Sequence, residues 1–136
     1  MPRLMGVNLL GVLLAALAMF FVGFIFYGML FTDIWMAARG YTPDMMGEQS
    51  GIWMGVGFLI EVVLALALGW VRKANGVSTL GSAIGVGIAA AILFGFPLLS
   101  YEFAYGLNHS VPGLLVDWGH TLVAFVAGAA VLSFFD

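Results

Sequence analysis

Residues 4–31 read LMGVNLLGVLLAALAMFFVGFIFYGMLF, and no charged side chain stands between Arg3 and Asp33. At about 1.5 Å of rise per residue, a helix of this length exceeds the roughly 30 Å of hydrocarbon in a bilayer and can cross it with some tilt. Arg3 ahead of an apolar run and Ala16-Leu17-Ala18 together imitate a secretory leader with a small-residue cleavage site. The run, however, continues to Phe31, too far for the core of such a leader, so the segment is expected to persist as a membrane helix. Three further stretches match it: about 51–71, interrupted only by Glu61, about 77–101, and about 114–135. Each is apolar around its whole circumference, so length decides where periodicity cannot. A backbone in hydrocarbon must satisfy its own hydrogen bonds, which a helix does. The expected fold is all-α: a polytopic membrane protein with a four-transmembrane-helix bundle, a long first loop and a single domain over residues 1–136.

Composition supports this independently. Only 8% of the 136 residues are charged and 63% are hydrophobic, with mean hydropathy +1.12. Soluble domains carry about a quarter charged residues, so this chain cannot cover a globule with groups that water accepts. Cysteine is absent, which excludes disulfides, thiolate metal sites and cysteine nucleophiles. Four basic residues against seven acids make no patch for nucleic acid or anionic headgroups. Membrane lipids are the expected surroundings, with a larger membrane complex or a second copy as open alternatives and no nucleic-acid partner. No nucleophile–base pair, phosphate loop or metal-spaced cluster appears, so neither an enzyme nor a cofactor is expected.

The connections fit the spans. Arg72-Lys73-Ala74-Asn75-Gly76 reads as a tight turn, and residues 102–113 as a loop holding Asn108, His109, Pro112 and Gly113. In the first connection, 32–50, Asp33 to Arg39 reads as a short interfacial helix carrying Trp35. Thr42-Pro43-Asp44 there reads as the N-terminal signal of span two. Arg3, Arg72 and Lys73 fall on the side of both termini and Arg39 on the other, which favours cytoplasmic termini. Trp35, Trp53, Trp70 and Trp118 lie near span ends, as an aromatic belt requires. Small residues let membrane helices approach closely, and Gly51 and Gly55, Gly81 and Gly85, and Ala124 and Gly128 each stand four apart on one face. Internal packing is the plainer reading of these pairs and oligomerisation the other. Pro97, inside span three, frees the Leu93 carbonyl and is expected to kink the helix.

The polar residues of the spans are few. Glu61, ten residues into span two, falls near the midplane, where a charged acid costs about 2.5–3.5 kcal/mol. It is either protonated and hydrogen-bonded to another helix, or a functional carboxylate that binds a headgroup or relays a proton. Asp117 and His120 share a face of span four, beside Thr121. Tyr27, Tyr101 and Glu102 fall at comparable or shallower depth, so Glu61, His120, Asp117, Tyr27, Tyr101, Glu102 and Thr121 are expected to form one cluster in the outer half. Asn8 lies too near the inner face to join it. The cluster either fixes helix register by hydrogen bonds or binds a ligand. Asp117 and His120 alone are too few for a metal site, and His120 as an axial ligand to haem or chlorophyll is the remoter chemistry.

Phe26-Tyr27-Gly28-Met29-Leu30-Phe31 followed by Trp35-Met36 resembles the exit of the first span in a bacterial membrane family known as domain of unknown function 1761. Members commonly show an aromatic-Tyr-Ser-Pro stretch, a Phe-Gly step and then Trp. Asp117-Trp118-Gly119-His120 is similar to the family's Asp-x-Gly-His near the start of the last span. The resemblance covers essentially the whole chain. This sequence departs in having Gly28-Met29 for Ser-Pro, and a midplane acid such as Glu61 is not among the family's features. The resemblance implies the four-span fold and a bacterial inner membrane, and it points to Tyr27, Trp35, Asp117, Gly119 and His120 without implying an activity. The expected role is binding of a hydrophobic ligand or partner at the polar cluster. The alternatives are an accessory subunit of a photosynthetic or respiratory complex and a small oligomeric proton-coupled transporter or channel.

Overall fold

The computed structural model describes residues 2–45 and 51–135. The chain opens with a hairpin of two short antiparallel strands, β1 (Arg3–Leu4) and β2 (Val7–Asn8), which turns at Met5 and Gly6. Span one therefore starts at Leu9, five residues later than hydropathy alone suggests. Gly6 reverses the chain at φ +78°. The Asn8 side chain then accepts from the amides of Leu10 (3.0 Å) and Gly11 (3.4 Å), which fixes the N-terminus of α1 (Leu9–Gly23). The helix widens into a π-helical stretch over Phe24–Leu30, where the Thr32 hydroxyl donates to the Tyr27 carbonyl at 2.7 Å.

The expected interfacial helix is α2 (Thr32–Arg39), closed by Gly40 in the left-handed region. Thr42-Pro43-Asp44 leads into a separate 3₁₀ turn, Pro43–Met45, rather than directly into span two. Residues 46–50, where the expected helix start would continue, lie outside the described residues. Span two is α3 (Gly51–Ala74), which takes in Arg72 and Lys73 and ends at the Asn75-Gly76 turn. Arg72 is 1% exposed and its Nη1 donates to the Val77 carbonyl, so it closes the turn from within rather than standing in solvent. Span three comprises α4 (Leu80–Ala90), a π turn over Ala91–Gly95 and α5 (Phe96–Tyr105). Pro97 lies in the first turn of α5, and the wide turn just before it is where a missing N–H is accommodated. Span three runs four residues beyond the expected end, which moves Glu102 from a loop onto a helix. Span four is α6 (Val111–Leu132), capped by the Ser110 hydroxyl accepting from Gly113 N at 3.1 Å, with Pro112 in its first turn.

Four helical segments are thus long and apolar enough to cross a membrane: Leu9–Leu30, Gly51–Ala74, Leu80–Tyr105 and Val111–Leu132. At most 28% of any span's apolar window is buried within the chain, and Leu93 and Phe94 stand two-thirds exposed. Water does not accept such a surface over four helices, and hydrocarbon does. The protein is a four-span, helical, multi-pass membrane protein.

α6 is the centre of the bundle. It runs antiparallel to α1, so that Gly11 meets Phe135, Gly128 meets Met19 and Gly23 meets His120. On its other side, Gly87 of α4 lies directly on the Phe125 backbone. The core joins α1 and α3 to α6 through Val12, Ala15, Ala16, Met19, Ala65 and Leu68. Of the small residues expected to pack inside, Ala124 is buried and Gly128 is filled by Met19. Gly51, Gly55, Gly81 and Gly85 are not internal, because a Cβ at any of them would meet nothing within 4 Å. Four-residue spacing places small residues on one face but does not say which way that face turns.

At Gly87 a Cβ would come 2.7 Å from the Phe125 carbonyl oxygen, a backbone atom that cannot step aside. Gly87→Ala is therefore expected to cost about 1–3 kcal/mol. Gly81→Ala should change stability by less than about 0.5 kcal/mol. Thermal unfolding of both variants in detergent checks the contrast.

Candidate functional site

The site sits at the end of the bundle where α2 folds over the start of α6. Gly113 makes this possible, since a Cβ there would collide with Ala38. The Asn108 side-chain amide donates to the Ala38 carbonyl at 3.3 Å and ties α2 to the loop before α6. Asp117 lies one turn beyond Gly113 on the same face, so docking Ala38 at Gly113 carries the neighbouring Arg39 to it.

Asp117 is the junction. Its Oδ1 accepts from the Tyr27 hydroxyl at 2.5 Å and its Oδ2 from Arg39 Nη2 at 3.3 Å. Arg39 Nη1 also forms an ion pair with Glu102 Oε1. Three spans and the interfacial helix are thereby joined by one carboxylate and one guanidinium. Burial works against the Arg39 charge, but the Glu102 hydrogen bond and the fields of Asp117 and Glu102 more than offset it. The guanidinium consequently holds its proton even more firmly than usual. A cleft of about 340 Å³ borders Arg39, Glu102, Asn108, Ser110 and Asp117.

Aromatic rings continue the site into the membrane. Trp35 packs on Tyr27 (centroids 5.6 Å apart), and Tyr41 meets Trp35 edge to face at 5.5 Å. His120 lies 4.9 Å from the Tyr27 ring and 5.8 Å from Phe26. Its Nε2 is buried and has no hydrogen-bond partner among the described residues. Gly23 faces that nitrogen, and a Cβ at Gly23 would stand 3.3 Å from it. The missing side chain lets α1 come close to an unmet polar atom.

Four of the seven residues expected in the cluster are brought together: Tyr27, Glu102, Asp117 and His120. Tyr101 is not, being 62% exposed and stacked on Tyr105. Thr121 is buried with its methyl against Gly95 of span three, so it packs rather than contributes to the polar group. Glu61 makes no hydrogen bond or ion pair with any member, and its Oε2 is buried without a partner among the described residues. Sequence reasoning placed it by depth, and depth does not fix the direction of a side chain. His109, expected to be solvated, is exposed but has its Nδ1 2.7 Å from the Phe103 carbonyl oxygen.

The residue missed was Arg39. It is the sole base between residues 32 and 71, with Glu102 and Asp117 expected near the same membrane face, and that imbalance was the available signal. Gly23 and Gly113 were missed because neither belongs to a spaced glycine pair. Among the described residues no group of three or more His, Asp or Glu is placed to hold a metal ion.

The residues that carried the family resemblance converge here. Tyr27 touches Trp35, Asp117 and His120, and Gly119 admits the Phe26 ring, 3.4 Å from where its Cβ would be. The sequence profile of a family described as "Protein of unknown function (DUF1761)" matches residues 10–133. The chain belongs to this family. No curated protein and no solved structure matches it. In this DUF1761 member the Asp-x-Gly-His element is therefore a working unit: Asp117 anchors Tyr27 and Arg39, Gly119 admits Phe26, and His120 sits under the rings. Trp118, the remaining residue of the element, turns the other way and stacks on Phe96 at 4.8 Å.

Removing the Tyr27 hydroxyl or one Asp117 oxygen should show coupling. In a double-mutant cycle of Tyr27→Phe and Asp117→Asn, followed by unfolding in detergent, the interaction energy is expected at about 0.6–1.7 kcal/mol. Strictly additive losses would mean that the hydrogen bond contributes nothing.

Proposed function

We propose that this protein is a non-enzymatic bacterial inner-membrane protein that binds an amphipathic small molecule beside His120, with both termini in the cytoplasm. The observation that carries the reading is the buried His120 Nε2, which meets no partner among the described residues and lies against the bare backbone of Gly23. A polar atom left unsatisfied in a low-dielectric site costs on the order of 1–3 kcal/mol, and a hydroxyl or carbonyl of a ligand would recover that. The Asp117–Arg39–Glu102 group holds the helices that shape the site and keeps the Tyr27 ring over His120. Three basic residues on the side of the termini against Arg39 opposite support the sidedness.

A second reading, an accessory subunit of a larger membrane complex, is favoured by the four open glycines Gly51, Gly55, Gly81 and Gly85. Small residues facing lipid leave room for a foreign helix to approach closely. Gly81→Leu or Gly85→Leu should then abolish copurification of other chains from native membranes, and a lone monodisperse species in the wild type would dispose of it.

The ligand reading is tested by purifying wild type, His120→Ala and Gly23→Ala in mild detergent and extracting bound small molecules for mass spectrometry. The variants should lose the species that the wild type retains by about tenfold or more, equivalent to about 1.4 kcal/mol. Equal retention with lowered thermal stability would leave His120 a purely structural role. A C-terminal tag should resist protease in right-side-out vesicles, and its cleavage would reverse the sidedness.

A further inference from the structure

Glu61 is the eleventh of the 24 residues of α3, at mid-depth in its span. It precedes Ala65, Leu68 and Arg72 by four, seven and eleven residues, the spacing of a single helix face. All three are buried, so this face is turned into the bundle and Glu61 is turned with it. Leu64 and Leu68 also border an apolar cleft of about 1010 Å³ between spans two and three, and Glu61 stands one turn beyond Leu64. Its Oε2 is buried, and the side chain has no hydrogen bond or ion pair among the described residues. An ionised acid in hydrocarbon is costly. This carboxyl is therefore either protonated or met by something from outside the chain.

The chain offers it no cation. Arg39 is engaged by Asp117 and Glu102. Arg72 lies about 16 Å further along α3 and donates to the Val77 carbonyl. Arg3 donates to the Gly6 carbonyl at the hairpin end of the bundle, where Lys73 also stands. The titratable groups of the other spans are engaged elsewhere. Tyr27 bonds Asp117, Glu102 pairs with Arg39, Tyr101 and Tyr105 stack at an exposed surface, and His120 Nε2 faces Gly23. What the neighbourhood does offer is aromatic. Phe58 precedes Glu61 by three residues on the same side of α3, and Phe20 of α1 meets it edge to face at 5.9 Å. Phe20 also lies over Gly57, 3.8 Å from where its Cβ would be. Aromatic rings attract a cation that has shed its water. A divalent metal does not suit the place, because among the described residues no group of three His, Asp or Glu could replace its hydration shell. A proton would satisfy the carboxyl and leave the rings without a role. A monocation with apolar substituents uses the acid, the rings and the apolar walls together.

We propose that Glu61 is the anionic element of a binding site for a lipophilic organic monocation, an amine or quaternary ammonium with apolar substituents, which exchanges with the carboxyl proton. The Glu61 carboxyl releases its proton to water as the cation binds and regains one when the cation leaves. Binding therefore strengthens as the pH rises and weakens as it falls. The site goes beyond the His120 reading and does not rest on it, since the two groups share no bond and are altered by different variants.

The probe is radiolabelled tetraphenylphosphonium, a permanent cation clothed in phenyl rings, so that only the protein titrates. Wild type, Glu61→Gln and Asp33→Asn, which removes an exposed acid of α2, are purified in an uncharged detergent and compared by equilibrium dialysis over a range of pH. Wild type and Asp33→Asn should bind the probe saturably, with affinity falling as the pH is lowered. Glu61→Gln should bind it about tenfold more weakly or less, with no such pH dependence. A wild-type protein that does not bind the probe would overturn the proposal, as would equal binding by Glu61→Gln. Should that variant fail to fold, wild type treated with dicyclohexylcarbodiimide, an apolar reagent that adds to carboxyl groups within membranes, decides the matter. Tetraphenylphosphonium should protect the Glu61 peptide from the reagent, as read by mass spectrometry. Equal labelling with and without the cation would leave Glu61 a site for a proton only and refute the proposal, and so would an unlabelled Glu61.

Discussion

Met19 occupies the space where a Gly128 side chain would stand, and that one substitution of a neighbour for a missing side chain sets the antiparallel register of α1 and α6. In hydrocarbon no solvent is expelled strongly enough to drive helices together, so van der Waals fit carries the contact. Where backbones come close, many atoms meet at once, and glycine is the residue that allows it. With Met19 seated, the same register brings Gly23 to His120 and Tyr27 to Asp117. The polar site is thus a consequence of an apolar one, two turns away along the same pair of helices.

The polar site answers a different constraint. Asp117 sits in the second turn of a membrane helix, where an unpaired carboxylate is expensive. The fold meets that need twice over, with the Tyr27 hydroxyl from inside the bundle and Arg39 from the interface. Arg39 in turn reaches Glu102, whose side chain is mostly exposed, so that one end of the network is in a polar setting and the other is enclosed. Such an arrangement strengthens toward its buried end, since screening falls as water is excluded. His120 stands apart from this. It has rings on two sides and no hydrogen-bonding neighbour among the described residues. Every other acid and base of the site has company.

The two halves of the bundle differ in kind. Toward the Asp117 end the spans are drawn together by ions and rings. Toward the Asn75 turn, spans two and three are held by their short connection and by separate contacts with their neighbours, and an apolar cleft separates them. A membrane protein can keep such a gap because its solvent consists of flexible chains able to enter it, which water around a soluble domain is not.

Much of the architecture was legible in the sequence because it depends on totals and lengths. Too few charges to face water, four runs long enough to cross a bilayer, the helix carrying Trp35 and the tight Asn75-Gly76 turn all follow from residue type alone. The ends were less legible: Asn8 capping a later start of α1, and Glu102 lying on a helix, depend on local hydrogen bonds that hydropathy does not register. The site was half legible. Tyr27, Asp117, Glu102 and His120 could be matched by depth, whereas Glu61, Tyr101 and Thr121 satisfied the same criterion and point elsewhere. Gly51, Gly55, Gly81 and Gly85 have the spacing of packing residues and meet open space, while Gly23, Gly87 and Gly113 have no pattern and sit at close approaches. The physical reason is that composition and length fix which solvent a chain requires and how far each helix reaches. The rotation of each helix about its axis is set by how neighbouring surfaces interlock, and in helices apolar on every side only the assembled bundle decides it.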